Sequence, residues 1–88
     1  MKYKLTDEKI KHNGRTLYRI QALKDFGDVK AGELGGYVES ETNLSHEGNC
    51  WVADEAKVFH EARISDNAWV YDDAQVYGDT EIKNGFIT

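Results

Sequence analysis

Aliphatic residues return every six positions through the second half of the chain: Val52, Val58, Ile64, Val70, Val76 and Ile82. Two positions before each stands a small residue, namely Cys50, Ala56, Ala62, Ala68, Ala74 and Thr80. The repeat reads small–x–aliphatic–x–x–x. A period of six fits neither an amphipathic helix nor a long alternating strand. Within each cycle a strand of about three residues can point in, out and in again. The polar pair that follows, rich in Asp, Glu, Asn, His and Gly, suits a corner. Repeats this short predict a solenoid whose coils stack to bury a shared core.

The first third has a different pattern. Residues 2–5 predict a short edge strand with Tyr3 and Leu5 on one face. Asn13-Gly14 between two strand-like runs predicts a hairpin, because both residues tolerate the positive φ of a type I′ turn. Pairing about that turn sets Ile10 opposite Leu17 and Glu8 opposite Arg19. The turn-rich stretch from Asp25 to Gly36 then swings the chain into the solenoid. Two parts follow: residues 1–33, a hairpin cap and linker, and residues 34–88, the repeat.

Runs such as Ala62-Arg63-Ile64-Ser65-Asp66-Asn67 and Ala74-Gln75-Val76-Tyr77-Gly78-Asp79 resemble the hexapeptide-repeat proteins. That resemblance implies an all-β fold, a short left-handed parallel β-helix of about three coils under the hairpin. In that family three hexapeptides make one coil, so residues eighteen apart stack. The count places Leu34 under Val52, Val38 under Ala56 and Leu44 under Ala62. It also puts Ser40 under Val58 and His46 under Ile64, both pointing inward. Outside, Trp51 stacks beside Trp69 with Ile87 beyond, Phe59 beside Tyr77, and Arg63 beside Glu81. Asp54 and Asp72, Glu55 and Asp73, and Glu61 and Asp79 form like-charge ladders that cost stability unless something counters them.

The chain departs from the family's acyltransferases at the residue after the aliphatic one. Those enzymes often carry Gly there; this chain has Ala53, Phe59, Ser65, Tyr71, Tyr77 and Lys83. With its entry segments, Leu34–Glu39 and Asn43–Trp51, it looks more like the short hexapeptide proteins of phages and prophages. Such proteins often disable a host defence system, as anti-CRISPR-type inhibitors do. The acyltransferases use a histidine between subunits as general base, and His60 at a corner is the one candidate here. Three coils leave no room for the loop that shapes an acyl-donor groove, so catalysis is not expected.

Charge sharpens the functional reading. Residues 1–33 carry eight Lys and Arg against five Asp and Glu; residues 34–88 carry three against eleven. An acidic rod beneath a mildly basic cap does not attract phosphates, so direct nucleic-acid binding is not expected. The rod can instead imitate nucleic acid toward a basic, nucleic-acid-binding host protein, through Asp54, Glu55, Glu61, Asp72, Asp73 and Asp79. The outward aromatics Trp51, Phe59, Trp69, Tyr71 and Tyr77, with Phe86 in the last coil, predict an interface and a homo-oligomer, dimer or trimer. A structural scaffold, and an oligomer that stacks a nucleotide or sugar between subunits, remain open alternatives. No cofactor or metal is expected, since no ligand set converges. Cys50 occupies a small inward slot and predicts an inert thiol. No apolar run is long enough for a membrane helix and no signal sequence begins the chain, so a cytoplasmic location, the host's if the protein is viral, is expected.

Overall fold

The computed structural model describes all 88 residues. The protein is all-β apart from one 3₁₀ turn, Glu41–Asn43. Strands β1 (Tyr3–His12) and β2 (Arg15–Ala22) form the hairpin. Strand β3 (Leu34–Val38) follows the linker. Seven two-residue strands come next: β4 (Trp51–Val52), β5 (Lys57–Val58), β6 (Arg63–Ile64), β7 (Trp69–Val70), β8 (Gln75–Val76), β9 (Glu81–Ile82) and β10 (Phe86–Ile87). They make three sheets, ordered β1-β2-β3-β5-β8, β10-β7-β4 and β6-β9. No helix is long and apolar enough to cross a membrane.

The short strands pair parallel at an interval of eighteen. Trp51 lies beside Trp69, Val52 beside Val70, Val58 beside Val76 and Ile64 beside Ile82. The small and aliphatic positions point into one core. Cys50, Val52, Ala56, Val58, Ala62, Ile64, Ala68 and Val70 are all buried. Burial declines toward β9 and β10, where Ile82 and Ile87 are half-buried and Thr80 is exposed.

Each corner turns on a residue of positive φ. These are Gly48, Asp54, His60, Asp66, Asp72 and Gly78, again six apart and two after the aliphatic position where there is one. Asp and His tolerate this region better than most side chains. Two of them do more. Asp54 Oδ2 accepts the backbone N–H of Asp72 at 3.1 Å, and His60 Nδ1 accepts that of Gly78 at 3.3 Å. The corner side chain of one coil thus caps the corner backbone of the next. That contact counters the like-charge ladder expected between Asp54 and Asp72.

The first and last coils depart from the eighteen-residue count. Val38 pairs with Val58, not Ala56, and Leu44 with Ile64, not Ala62. The interval here is twenty. By Asn49, whose N–H donates to Asp66 O at 3.0 Å, it has returned to eighteen. Two extra residues therefore leave the coil between Leu44 and Asn49, and they carry His46 out of the core position expected for it. Ser40 leaves the aliphatic slot too, because it caps the 3₁₀ turn. Leu34 is exposed rather than stacked under Val52; it pairs with Gln21 of the hairpin. At the other end Phe86 pairs with Trp69 and Ile87 with Val70, an interval of seventeen. The corner before β10 is one residue short and turns on Gly85, at φ 91°.

The N-terminal third covers the coils and is continuous with them. The hairpin turns at Asn13 and Gly14, both at positive φ, and Ile10 faces Leu17 as expected. Strand β3 then joins it to the repeat, antiparallel to β2 and parallel to β5. Lys2 and Tyr3 plug the first coil. Tyr3 donates to Leu44 O at 2.6 Å, and burial, with Glu41 nearby, raises its phenol well above the usual range. Lys2 Nζ donates to Cys50 O at 2.8 Å and lies over the Phe26 ring; burial lowers its ammonium from the usual value. The close fit at β3 requires glycine: a Cβ on Gly35 would stand 2.5 Å from Val52 O.

The register is testable at adjacent positions. Ile64→Asp places an unpaired carboxylate between stacked coils, at a cost of several kcal/mol. Ser65→Asp, at a half-buried corner, is expected to cost little. Thermal unfolding of the two variants at neutral pH should separate them widely; equal melting temperatures would refute the register.

Candidate functional site

The six carboxylates named from the sequence, Asp54, Glu55, Glu61, Asp72, Asp73 and Asp79, are all exposed. The eighteen-residue pairing brings them to two of the corners. Asp54, Glu55, Asp72 and Asp73 share one; Glu61 and Asp79 share the other, beside His60. Their charges are not equally free. Glu55 Oε2 accepts from Arg19 Nη2 at 3.1 Å. Asp54 is tied to the Asp72 backbone, and Asp72 Oδ2 accepts the Thr88 hydroxyl at 3.0 Å. Glu61, Asp73 and Asp79 make no ion pair within the chain.

Arg19 is the hub between hairpin and coils. Its Nε donates to Glu8 at 2.9 Å, Nη1 to Gly35 O at 2.6 Å, and Nη2 to the Tyr37 hydroxyl at 2.6 Å and to Glu55. The guanidinium also stacks on the Tyr37 ring, 4.4 Å from its centroid. Burial would pull the Arg19 proton affinity down, but the bonds to Glu55, Glu8 and Tyr37 outweigh it and raise it. The hairpin turn made the Glu8 contact legible in sequence. Tyr37 and Glu55 carried no such signal: Tyr37 becomes Arg19's cross-strand partner only when β3 pairs with β2, and Glu55 reaches it only when β5 pairs with β3.

Of the six aromatic residues expected at an interface, two are covered. Trp51 is 0 % exposed, enclosed by Tyr3 and by Phe26, whose ring stands edge-on at 5.3 Å. Phe59 is 1 % exposed beneath His12 of the hairpin, beside Leu17 and Tyr37. Their expected exposure is thereby corrected: the cap and linker fold over these columns in place of a second chain. Trp69 and Tyr71 are half-buried, while Tyr77 is 54 % and Phe86 73 % exposed. The indole of Trp69 donates to Asn49 O at 3.0 Å; that of Trp51 is buried with no partner.

The histidines all serve contacts inside the fold. His46 stacks on Tyr3 at 4.1 Å, accepts the Lys2 backbone N–H at Nδ1 and faces Glu41 with Nε2 at 2.8 Å. His12 Nε2 lies 3.1 Å from the Gln75 side-chain oxygen. At His60 the acceptor is Nδ1, already engaged by Gly78, so the proton of the neutral ring sits on Nε2. A polar groove of about 390 Å³ runs past His46, Ser45, Arg63 and Ser65, with Glu41 and Glu81 at its sides. No three His, Cys, Asp or Glu side chains converge as a metal ligand set. Cys50 is buried and free.

Two residues with no motif complete the site's frame. Asn43, fully buried, accepts the N–H groups of Glu39 and Ser40 and donates to His60 O and Ala62 O. Glu39 receives the His60 N–H on Oε1 at 2.8 Å and Arg15 on Oε2 at 2.6 Å. Together they fix the corner that presents His60 and Glu61.

No family model matches the chain. It is similar to a protein described as the uncharacterized acetyltransferase YdcK of Escherichia coli (strain K12). The two are 51 % identical over 39 residues, 44 % of this chain and 12 % of that protein. The chain spans a small part of that relative's length.

Glu39 provides a pH test of this corner. Desolvation alone would raise its carboxyl, but the His60 N–H and Arg15 outweigh it and hold the pKa below the ordinary value. A group whose folded pKa is depressed stabilises the fold above its unfolded pKa of about 4.3 and loses that contribution as pH falls through the folded value. Glu39→Gln is therefore expected to lower stability at pH 7 and to weaken the acid dependence below pH ~4.5. Denaturant melts at several pH values check this; parallel curves for the two proteins would refute it.

Proposed function

We propose that the protein is a non-catalytic binding protein whose acidic corners occupy the nucleic-acid groove of a basic host protein. We read its coils as a short left-handed parallel β-helix of phage or prophage type. The parallel pairing at eighteen residues and the positive φ every six support that fold. The observation that carries the function is the placement of Asp73, Glu61 and Asp79 as exposed carboxylates on two adjacent corners, without a cation from their own chain. Negative groups held on a rigid frame attract a basic groove and pay little ordering entropy on binding. On this reading the inhibited target is a host defence nucleoprotein, and no nucleic acid, cofactor or membrane takes part.

The test uses carboxylates that do not hold the fold. The triple variant Glu61→Gln, Asp73→Asn, Asp79→Asn is expected to keep its melting temperature. From a host lysate the wild type should retain a nucleic-acid-binding protein that added DNA displaces. The variant should retain at least about ten-fold less, the scale of a few screened charges. Equal retention by both, or a retained partner indifferent to DNA, would refute the reading.

The likeness to an acetyltransferase favours a second reading, acetyl transfer with His60 as base. Against it stands the His60 ring, whose basic nitrogen is spent on the Gly78 N–H. A general base needs that lone pair free for the acceptor's proton. Incubation with acetyl-CoA and amine acceptors is expected to release no thiol above background; release abolished by His60→Gln would establish the second reading instead.

A further inference from the structure

The outward side of β7 and β10 carries a cleft of about 530 Å³. Trp69, Tyr71 and Phe86 line it with three rings, and Glu33 and Asp54 bring two carboxylates to it. Phe86 is in register with Trp69 and meets Tyr71 edge-on, with centroids 6.3 Å apart and planes at 79°. The Trp69 ring is held by its bond to Asn49 O. Glu33 accepts one backbone N–H, from Lys30 on Oε1, and Asp54 one, from Asp72 on Oδ2. Neither carboxylate has an ion pair, and no Lys, Arg or His lines the cleft.

Aromatic faces are electron-rich, and two carboxylates beside them deepen the negative potential. An anionic ligand is repelled by that potential. A purely apolar one would cost the desolvation of both carboxylates with nothing to replace their water. A cation with a flat, weakly hydrated head meets both demands, since it stacks on rings and forks onto a carboxylate. The cleft thus selects for guanidinium over phosphate.

We propose that this cleft takes the guanidinium of an arginine side chain presented by the basic protein partner. The inference rests on the acidic-corner reading above for the partner, and adds the anchor on which it docks. An aromatic and carboxylate cleft gives an arginine a place of fixed depth, which exposed corner charges alone do not.

The two indole N–H signals provide the readout, since Trp69 lines the cleft and Trp51 is buried. In nitrogen–proton spectra of the full chain, N-acetyl-arginine-N-methylamide is expected to shift the Trp69 signal saturably and leave Trp51 in place. The uncharged citrulline analogue should shift neither. Phe86→Ala and Glu33→Gln, both at exposed positions, should each weaken the arginine response about five-fold, the size of one exposed cation–π or charge contact. An unmoved Trp69, an equal response to citrulline, or movement only with a neutral oligosaccharide would overturn the proposal. So would movement on raising protein concentration alone, which would assign the face to a second copy. None of Glu61, Asp73 and Asp79 lines the cleft, so the triple variant separates the two ideas. That variant should keep the arginine response while losing the DNA-displaced partner. A wild-type chain that answers arginine but retains no DNA-displaced partner would sink the corners and keep the cleft; one that retains such a partner with Trp69 unmoved by arginine would sink the cleft and keep the corners.

Discussion

The fold depends on a corner that must turn through positive φ every six residues. Only a two-residue strand fits between such corners once the small residue has taken its inward slot. The side chain two places after the aliphatic one then decides whether the corner is cheap. Glycine supplies it without strain at Gly48 and Gly78. Aspartate and histidine supply it at Asp54, His60, Asp66 and Asp72, and at Asp54 and His60 the side chain also satisfies a backbone N–H of the coil beyond. A negative charge at a corner is therefore partly structural. The acidity of the rod follows in part from what holds its coils in register, before any partner is considered.

A second constraint is the exposed first coil. A stack of two-residue strands offers open edges and bare outward columns. The N-terminal third meets this by covering rather than by lengthening the stack. Its hairpin continues the sheet through β3, its tip lies on Phe59, and its linker places Phe26 on Trp51. Arg19 fastens the arrangement, bonding Glu8, Gly35 O, Asp54 O, Glu55 and the Tyr37 hydroxyl and stacking on the Tyr37 ring. Two aromatic columns that begin as interface candidates become, in their first members, core.

This explains what the sequence made legible. The repeat, the hairpin turn and the pairing of Ile10 with Leu17 all depend on near neighbours in the chain or on a fixed period. The eighteen-residue count holds for Trp51 with Trp69, Val58 with Val76 and Ile64 with Ile82 because each coil between them has the same length. It fails where the length changes, by two residues before Asn49 and by one before Phe86, and no composition rule marks either place. The acidic corners were visible as columns. The burial of Trp51 and Phe59 was not, because the residues that cover them lie more than twenty positions away and meet them only after the cap has folded. Asn43 and Glu39 were missed for the same reason: their partners, His60 and Ala62, belong to the next coil.

What the cap leaves open is consistent in its chemistry. The outer column loses its cover in the step from Trp51 to Trp69 and then Phe86, while the carboxylates Asp54 and Glu33 remain at its side. No lysine lines the cleft or pairs with its carboxylates, and Arg19, which reaches its edge at Asp54 O, is occupied by Glu8, Glu55, Gly35 and Tyr37. Intramolecular neutralisation of this face is thus used up in joining the two halves. An aromatic surface next to carboxylates that the chain does not neutralise attracts a cation from outside more strongly than either feature would alone, because a ring and a carboxylate act on the same charge. The apolar and the acidic character of the rod, which point to self-association and to a basic partner when taken separately, here describe one surface.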